Sequence, residues 1–169
     1  MVEFESYWLP AYIGIGSNLN EPASQVRIAF KALSKLADTR LICVSPLYKN
    51  PPMGPQNQPD YVNAVAGLIT QLKPIDLLNA MKSIELKQGR IRKSGDRWEA
   101  RIIDLDLLIY GSLTMEEDEL KIPHSGIRDR NFVLFPLLNI APNLNVVGYG
   151  SVAELAKKFT GTSIERLEE

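Results

Sequence analysis

Four prolines and one glycine fall within the ten residues Asn50 to Pro59, and no other stretch so limits what the chain can form. Proline has no backbone N–H and a fixed φ, so this run can be neither helix nor ladder strand. It reads as a stiff, partly extended loop, with regular structure on either side. Before it, Ala11-Tyr-Ile-Gly-Ile15 alternates as a strand and runs into the turn Gly16-Ser-Asn-Leu19. From Pro22, Val26, Phe30, Leu33 and Ala37 recur at helical spacing, and Arg40 to Val44 reads as a second strand. After it, Tyr61 to Thr70 alternates again. Pro74 to Gln88 then reads as a helix stopped by Gly89, and Ile102 to Tyr110 is the most strand-like stretch of the chain. A short apolar helix over Asn131 to Ile140 follows, and the capping box Ser151-Val-Ala-Glu154 opens a last one.

The order β-α-β-β-α-β followed by helices is the ferredoxin-like split pattern. The expected fold is therefore α+β: a ferredoxin-like βαββαβ core with additional strands and C-terminal helices, in three αβα layers. A length of 169 residues predicts a single domain spanning 1–169. Hydrophobic residues at 45% and charged residues at 23% exclude disorder, collagen and a long coiled coil. Nineteen Lys and Arg against 20 Asp and Glu leave a net charge of −1, too little for coating duplex DNA or an anionic membrane. Cys43 is the single cysteine and can form no internal disulfide. The start carries Glu3 and Glu5 without Lys or Arg, and no apolar run approaches the ~20 residues of a membrane helix. A soluble, cytoplasmic protein with no nucleic-acid or membrane partner is expected.

Chemistry concentrates in Arg101-Ile-Ile-Asp104-Leu-Asp106-Leu-Leu-Ile109. On a strand, residues two apart share a face about 6.8 Å apart, so Asp104 and Asp106 point one way and Leu105, Leu107 and Ile109 the other. Two readings fit such a pair. The carboxylates share a divalent cation, for which oxygen ligands favour Mg²⁺, or they sit on an exposed edge strand and pair with neighbouring arginines. From Lys87 to Arg101 there are six positive residues (Lys87, Arg90, Arg92, Lys93, Arg97, Arg101) and two negative ones, a local charge of +4. Arginine forks match phosphate oxygens, and a basic loop beside a carboxylate-bound Mg²⁺ suits phosphoryl or pyrophosphoryl transfer. Trp98 in that loop either stacks on a flat ring or folds back on the body. His124, after Pro123, is either a structural surface histidine or part of the site, with Arg128 and Arg130 close by in sequence. Tyr61 and Asn63 share a strand face, where an aromatic and an amide can read a heterocycle. Gly14-Ile-Gly16 is not a P-loop, and its glycines are read as leaving room for something flat.

Five motifs occur in order: Tyr12-Ile-Gly-Ile-Gly-Ser-Asn-Leu19; Pro51-Pro-Met-Gly-Pro-Gln56 with Gln58-Pro-Asp-Tyr-Val-Asn63; Ile84-Glu-Leu-Lys-Gln-Gly-Arg90; Arg101-Ile-Ile-Asp-Leu-Asp106; and Pro123-His124. Over roughly Ala11 to Pro142 the chain resembles the 6-hydroxymethyl-7,8-dihydropterin pyrophosphokinases of folate biosynthesis. The resemblance implies transfer of the pyrophosphoryl group of ATP to 6-hydroxymethyl-7,8-dihydropterin, giving AMP and the pterin diphosphate. It implies two Mg²⁺ ions on Asp104 and Asp106, and a pterin pocket of Gly16, Pro52, Met53, Tyr61, Asn63, Trp98 and Phe132, with Trp98 and Phe132 on the two ring faces. Glu85, Arg92, Leu107, His124 and Arg130 would line the ATP side. Arg90 and Arg101 would act on the transferring group, with Asp106 near the hydroxyl proton. A monomer is expected. The chain departs from the family pattern at Glu99-Ala100, where Gly-Pro is usual, at Ser125, where an aromatic is common, at Asn50, where Thr is frequent, and in a basic loop one residue longer than in the shortest relatives. Arg92 to Trp98 is expected to order over the substrates. Rival readings are a ferredoxin-like RNA-binding module, which would need stacking aromatics on an open sheet face, and a nucleotide-sugar transferase using the D-x-D pair.

Overall fold

The computed structural model describes residues 7–91 and 99–168. Among these, six strands form one antiparallel sheet. Its centre pairs β1 (Leu9–Ser17) with β4 (Tyr61–Thr70), and β5 (Asp104–Tyr110) lies on the other side of β1 as the outermost strand. The far side of β4 carries two short strands end to end, β2 (Thr39–Val44) on its Ala66–Thr70 half and β3 (Tyr48–Asn50) on Tyr61–Asn63. Ser45-Pro46 separates them, because Pro46 has no N–H to continue the ladder. The tail returns as β10 (Glu165–Arg166), paired with β3. Two-residue hairpins, β6–β7 (Met115–Glu116, Lys121–Ile122) and β8–β9 (Asn145–Val146, Gly150–Ser151), complete the strands.

Helices α1 (Pro22–Leu33) and α2 (Pro74–Lys87) cover one face, burying Val26, Ala29, Leu33, Leu77 and Met81 against Ile13, Ala64, Leu105 and Leu107. The opposite face is covered by α3 (Asn131–Ile140) and α4 (Val152–Lys157), whose Leu134, Leu137 and Val152 pack on Val65, Leu108 and Ile109. The three-layer α+β expectation holds, with the ferredoxin-like connection β1-α1-(β2, β3)-β4-α2-β5. Helices on both faces leave no open sheet face for stacked bases, which removes the geometry an RNA-binding sheet needs.

Proline opens α1 and α2 where an unpaired N–H would otherwise stand, and Ser151 Oγ accepts the Glu154 N–H at 3.2 Å as the capping box predicts. Three expectations are corrected. The proline-rich loop starts at Pro51 and not at Asn50, because Asn50 keeps its N–H and ends β3 opposite Tyr61. The strand read from Ile102 starts instead at Asp104, as β5, because Arg101 bonds the Asn18 backbone instead of the ladder. Ile109 does not share a layer with Leu105 and Leu107. The register of β1 with β5 shifts between Tyr12 and Ile13, opposite Ile109 and Leu107, so Leu108 is an extra residue in β5. This bulge turns both Leu108 and Ile109 toward α3.

Candidate active site

The bulge leaves the faces of Asp104 and Asp106 intact. They lie across from Gly16 and Gly14 of β1, on the α3 side of the sheet. A cleft of about 270 Å³ opens there, lined by both acids together with Gly16, Met53, Tyr61, Asn63, Arg101, Arg130 and Phe132 of the expected residues. Asn50, Gly54 and Gln58 line it too and were not among the expected site residues. Pro52 is buried outside the lining, and Arg92 and Trp98, with the expected closing loop, lie outside the described residues.

Arg90 is placed by the end of α2. Gly89, with φ +98°, turns the chain so that the Gly89 N–H donates to Leu86 O at 3.1 Å and the Arg90 N–H to Glu85 O at 3.0 Å. This is a Schellman termination, and glycine is needed for its left-handed residue. It sets Arg90 above Glu85, whose Oε1 accepts Arg90 Nη1 at 2.6 Å and the Leu105 N–H at 2.8 Å. Glu85 is only 2% exposed. Its carboxylate is thus committed to Arg90 and to the strand bearing the acids. Leu107 packs its side chain in the α1–α2 core, so only its backbone can face an ATP site.

Arg90 Nη1 also reaches Asp104 Oδ1, and Arg101 Nη1 donates to Asp104 Oδ2 at 2.9 Å. The arginine-paired reading of the acids is therefore realised at Asp104. Burial works against the Arg90 charge, but the facing carboxylates of Asp104 and Glu85 outweigh it and hold its pKa above the ordinary value. Arg101 is clamped through its backbone: its N–H donates to Asn18 Oδ1 at 2.8 Å and its carbonyl accepts the Asn18 N–H at 3.1 Å. Asn18 Nδ2 donates to Pro59 O at 3.1 Å and Gln58 Oε1 at 3.0 Å, tying the proline-rich loop to the same point. That one amide, signalled only by its place after the Gly-Ile-Gly-Ser turn, fixes three segments.

Asp106 is held more loosely, with Arg130 Nη1 at 3.7 Å and His124 Nε2 at 3.9 Å. Desolvation and the neighbouring Asp104 charge push its carboxyl up to about 7, and Arg130 opposes them. His124 is anchored by its backbone N–H to the Leu108 carbonyl at 2.8 Å, and its Nδ1 accepts the Gly126 N–H at 3.0 Å. Burial, then Arg130, bring its pKa down to about 4. A neutral imidazole with Nδ1 accepting carries its proton on Nε2, toward Asp106.

The β1 glycines serve the protein's own side chains rather than leaving space for a ring. A Cβ at Gly14 would stand 3.3 Å from Leu108 Cδ2, and one at Gly16 would stand 2.7 Å from Asn63 Oδ1. Tyr61 and Asn63 share the cleft face as expected, and the Tyr61 hydroxyl donates to Glu99 O at 3.1 Å.

Acids and guanidinium groups gathered beside an amide and an aromatic ring are the groups an enzyme acting on a polyanion beside a flat substrate would need. Comparison with known proteins makes this specific. Residues 12–142 match the family model of 7,8-dihydro-6-hydroxymethylpterin-pyrophosphokinase (HPPK). The 2-amino-4-hydroxy-6-hydroxymethyldihydropteridine pyrophosphokinase of Haemophilus influenzae is 44% identical over 159 residues, covering 94% of this chain and 98% of its own. That of Pseudomonas aeruginosa is 45% identical over 156 residues, covering 92% and 95%. Wild-type HPPK-DHPS of Plasmodium falciparum, only 15% identical, shares the fold at a TM-score of 0.72 over 92% of this chain; the chain spans 45% of that longer one. The chain belongs to the 7,8-dihydro-6-hydroxymethylpterin-pyrophosphokinase family. It is a pyrophosphoryl-transferring enzyme of folate biosynthesis.

Proposed function

We propose that the cleft takes 6-hydroxymethyl-7,8-dihydropterin among Gly16, Met53, Tyr61, Asn63 and Phe132, and the ATP triphosphate beside Asp104, Asp106, Arg90, Arg101, His124 and Arg130. The observation that carries this reading is that the two strand acids, with Arg101 and Arg130 facing them, border the same cleft as Asn63 and Phe132. Asp104 and Asp106 offer oxygen donors only, and among the described residues no third His, Cys, Asp or Glu joins them. This donor set suits Mg²⁺, which commonly keeps water and substrate phosphates in its remaining positions. Two ions there would neutralise phosphate charge and orient the triphosphate.

The pterin hydroxymethyl oxygen attacks the β-phosphorus, the new O–P bond forms as the bond to the α-phosphate bridge breaks, and AMP leaves. Charge develops on phosphate oxygens, where preorganised cations act most strongly. Arg90 and Arg101, whose guanidinium groups face Asp104, would give that carboxylate up for the phosphate oxygens of the nucleotide. Neutral His124 offers its Nε2–H as a donor. Asp104 is already faced by two guanidinium groups, so Asp106, with its raised carboxyl pKa, is the better acceptor for the hydroxyl proton.

We take the chain to act as a monomer and as one domain over 1–169; the pairing of β10 with β3, which returns the tail to the sheet, supports the single domain. No helix among the described residues is long and apolar enough to cross a membrane. We place the reaction in the cytoplasm, in keeping with the unpaired Cys43. The test is calorimetry with a non-hydrolysable ATP analogue, the pterin and Mg²⁺ added in both orders, alongside an assay for AMP. Binding of both ligands that is insensitive to Mg²⁺ would refute the metal assignment.

A further inference from the structure

Asn50 and Asn63 line the cleft on adjacent strands and are 5% and 6% exposed. Their hydrogen bonds have a fixed direction. The Pro51 carbonyl can only accept, and Asn50 Nδ2 donates to it at 3.0 Å. The other end of the Asn50 amide, Oδ1, accepts Asn63 Nδ2 at 2.6 Å. Turning either amide over would set oxygen against oxygen or N–H against N–H. One carbonyl therefore fixes both amides. Asn63 Oδ1 is left beside Gly16, 2.7 Å from where a Cβ would stand, and no described residue donates to it. It is an acceptor awaiting a donor, at the edge of a cleft.

We propose that Asn50 is a positioning residue that sets the polarity of the Asn63 amide, so that the cleft presents an oxygen and selects a ring edge carrying N–H donors. The inference rests on the reading of this cleft as the pterin site. A pterin bears a 2-amino group beside a ring N–H, which is the edge an acceptor selects. An edge with a lone pair there would leave two acceptors facing each other, and a site built around a hydrogen bond rejects such an analogue strongly. A threonine hydroxyl can also donate to Pro51 O and accept from Asn63, so Asn50→Thr preserves the polarity. Asn50→Ala leaves the Asn63 amide free to turn.

The test uses the full chain with Mg²⁺ and ATP, and compares 6-hydroxymethyl-7,8-dihydropterin with the analogue in which a methyl group replaces the 2-amino group. In Asn50→Ala the preference for the pterin should fall about tenfold, through KM rather than kcat, the size expected for one hydrogen bond left unmade in a buried site. Asn50→Thr should retain the preference within about threefold, less than one such hydrogen bond. An unchanged preference in Asn50→Ala overturns the proposal. So does an equal loss in both variants accompanied by an equal fall in Tm, since packing alone would then explain it. Asn63→Ala separates the two readings. If it leaves pterin affinity untouched, the assignment of the cleft fails. If it weakens affinity while Asn50→Ala keeps the preference, only the role of Asn50 fails.

Discussion

Glu85 Oε1 accepts both the Leu105 N–H and Arg90 Nη1, at 2.8 and 2.6 Å, and so joins the end of a helix to the strand that bears the acids. Glu85→Ala would leave the Leu105 N–H unsatisfied in the core, at a cost of about 1–3 kcal/mol. Glu85→Gln keeps an oxygen for that N–H but removes the charge facing Arg90. It should leave Tm near that of the unchanged protein and lower kcat about tenfold, the cost of one misaligned preorganised donor. Equal falls in Tm for the two variants would leave Glu85 with a purely structural role.

Asp104→Ala and Asp106→Ala should each reduce AMP formation at least ~10²-fold with saturating Mg²⁺, as does removal of a single preorganised group elsewhere. Near-normal turnover in either variant would contradict the metal site. Asp104→Ala should also depress Tm more than Asp106→Ala, because it strips two close-packed guanidinium groups of their shared partner.

The metal-free protein should show two opposed pH effects. Asp106 titrates near 7 when folded against 3.8 ordinarily, so its contribution to stability is complete below 3.8 and is lost as pH rises through 7. His124 titrates near 4 when folded against 6.5, so its contribution is present above 6.5 and is lost as pH falls through 4. Asp106→Asn should therefore raise Tm at pH 8 in chelator, and His124→Gln should raise it at pH 5. Scanning calorimetry at both pH values reads the signs, and added Mg²⁺ at pH 8 should stabilise the unchanged protein but not Asp106→Asn.

Gly16→Ala would drive a methyl group to 2.7 Å from Asn63 Oδ1. Asn63 must give way, so pterin affinity should fall about tenfold or more, one hydrogen bond's worth, while nucleotide affinity changes little. Isothermal titration with each ligand separately checks this. Parallel losses for both ligands would mean that the whole cleft had shifted.

What the sequence disclosed follows from what local periodicity encodes. Alternation along Tyr61–Thr70, the Pro74 start and Gly89 stop of α2, and the shared face of Asp104 and Asp106 are each set by neighbours within a few residues. Local pattern carried the core topology for that reason. The two-residue strands are too short to show a period, and the break at Ser45-Pro46 disguised β3 as loop. The partners of Asn18, Asn50 and Glu85 lie across the fold, so no spacing rule announces them. In sequence Gly16 reads as room for a ligand, because the side chain that fills that room, Asn63, is 47 positions away. The recurrence of whole motifs carried the family; residue roles such as that of Glu85 needed three dimensions.

The surplus residue at Leu108 gives this last point a practical form. A perfectly regular ladder would still display both aspartates. At the extra residue the Leu108 carbonyl takes the backbone N–H of His124, and so moors the segment whose imidazole stands within reach of Asp106. Shortening the strand by that one amino acid would take away the residue to which the His124 backbone is tied.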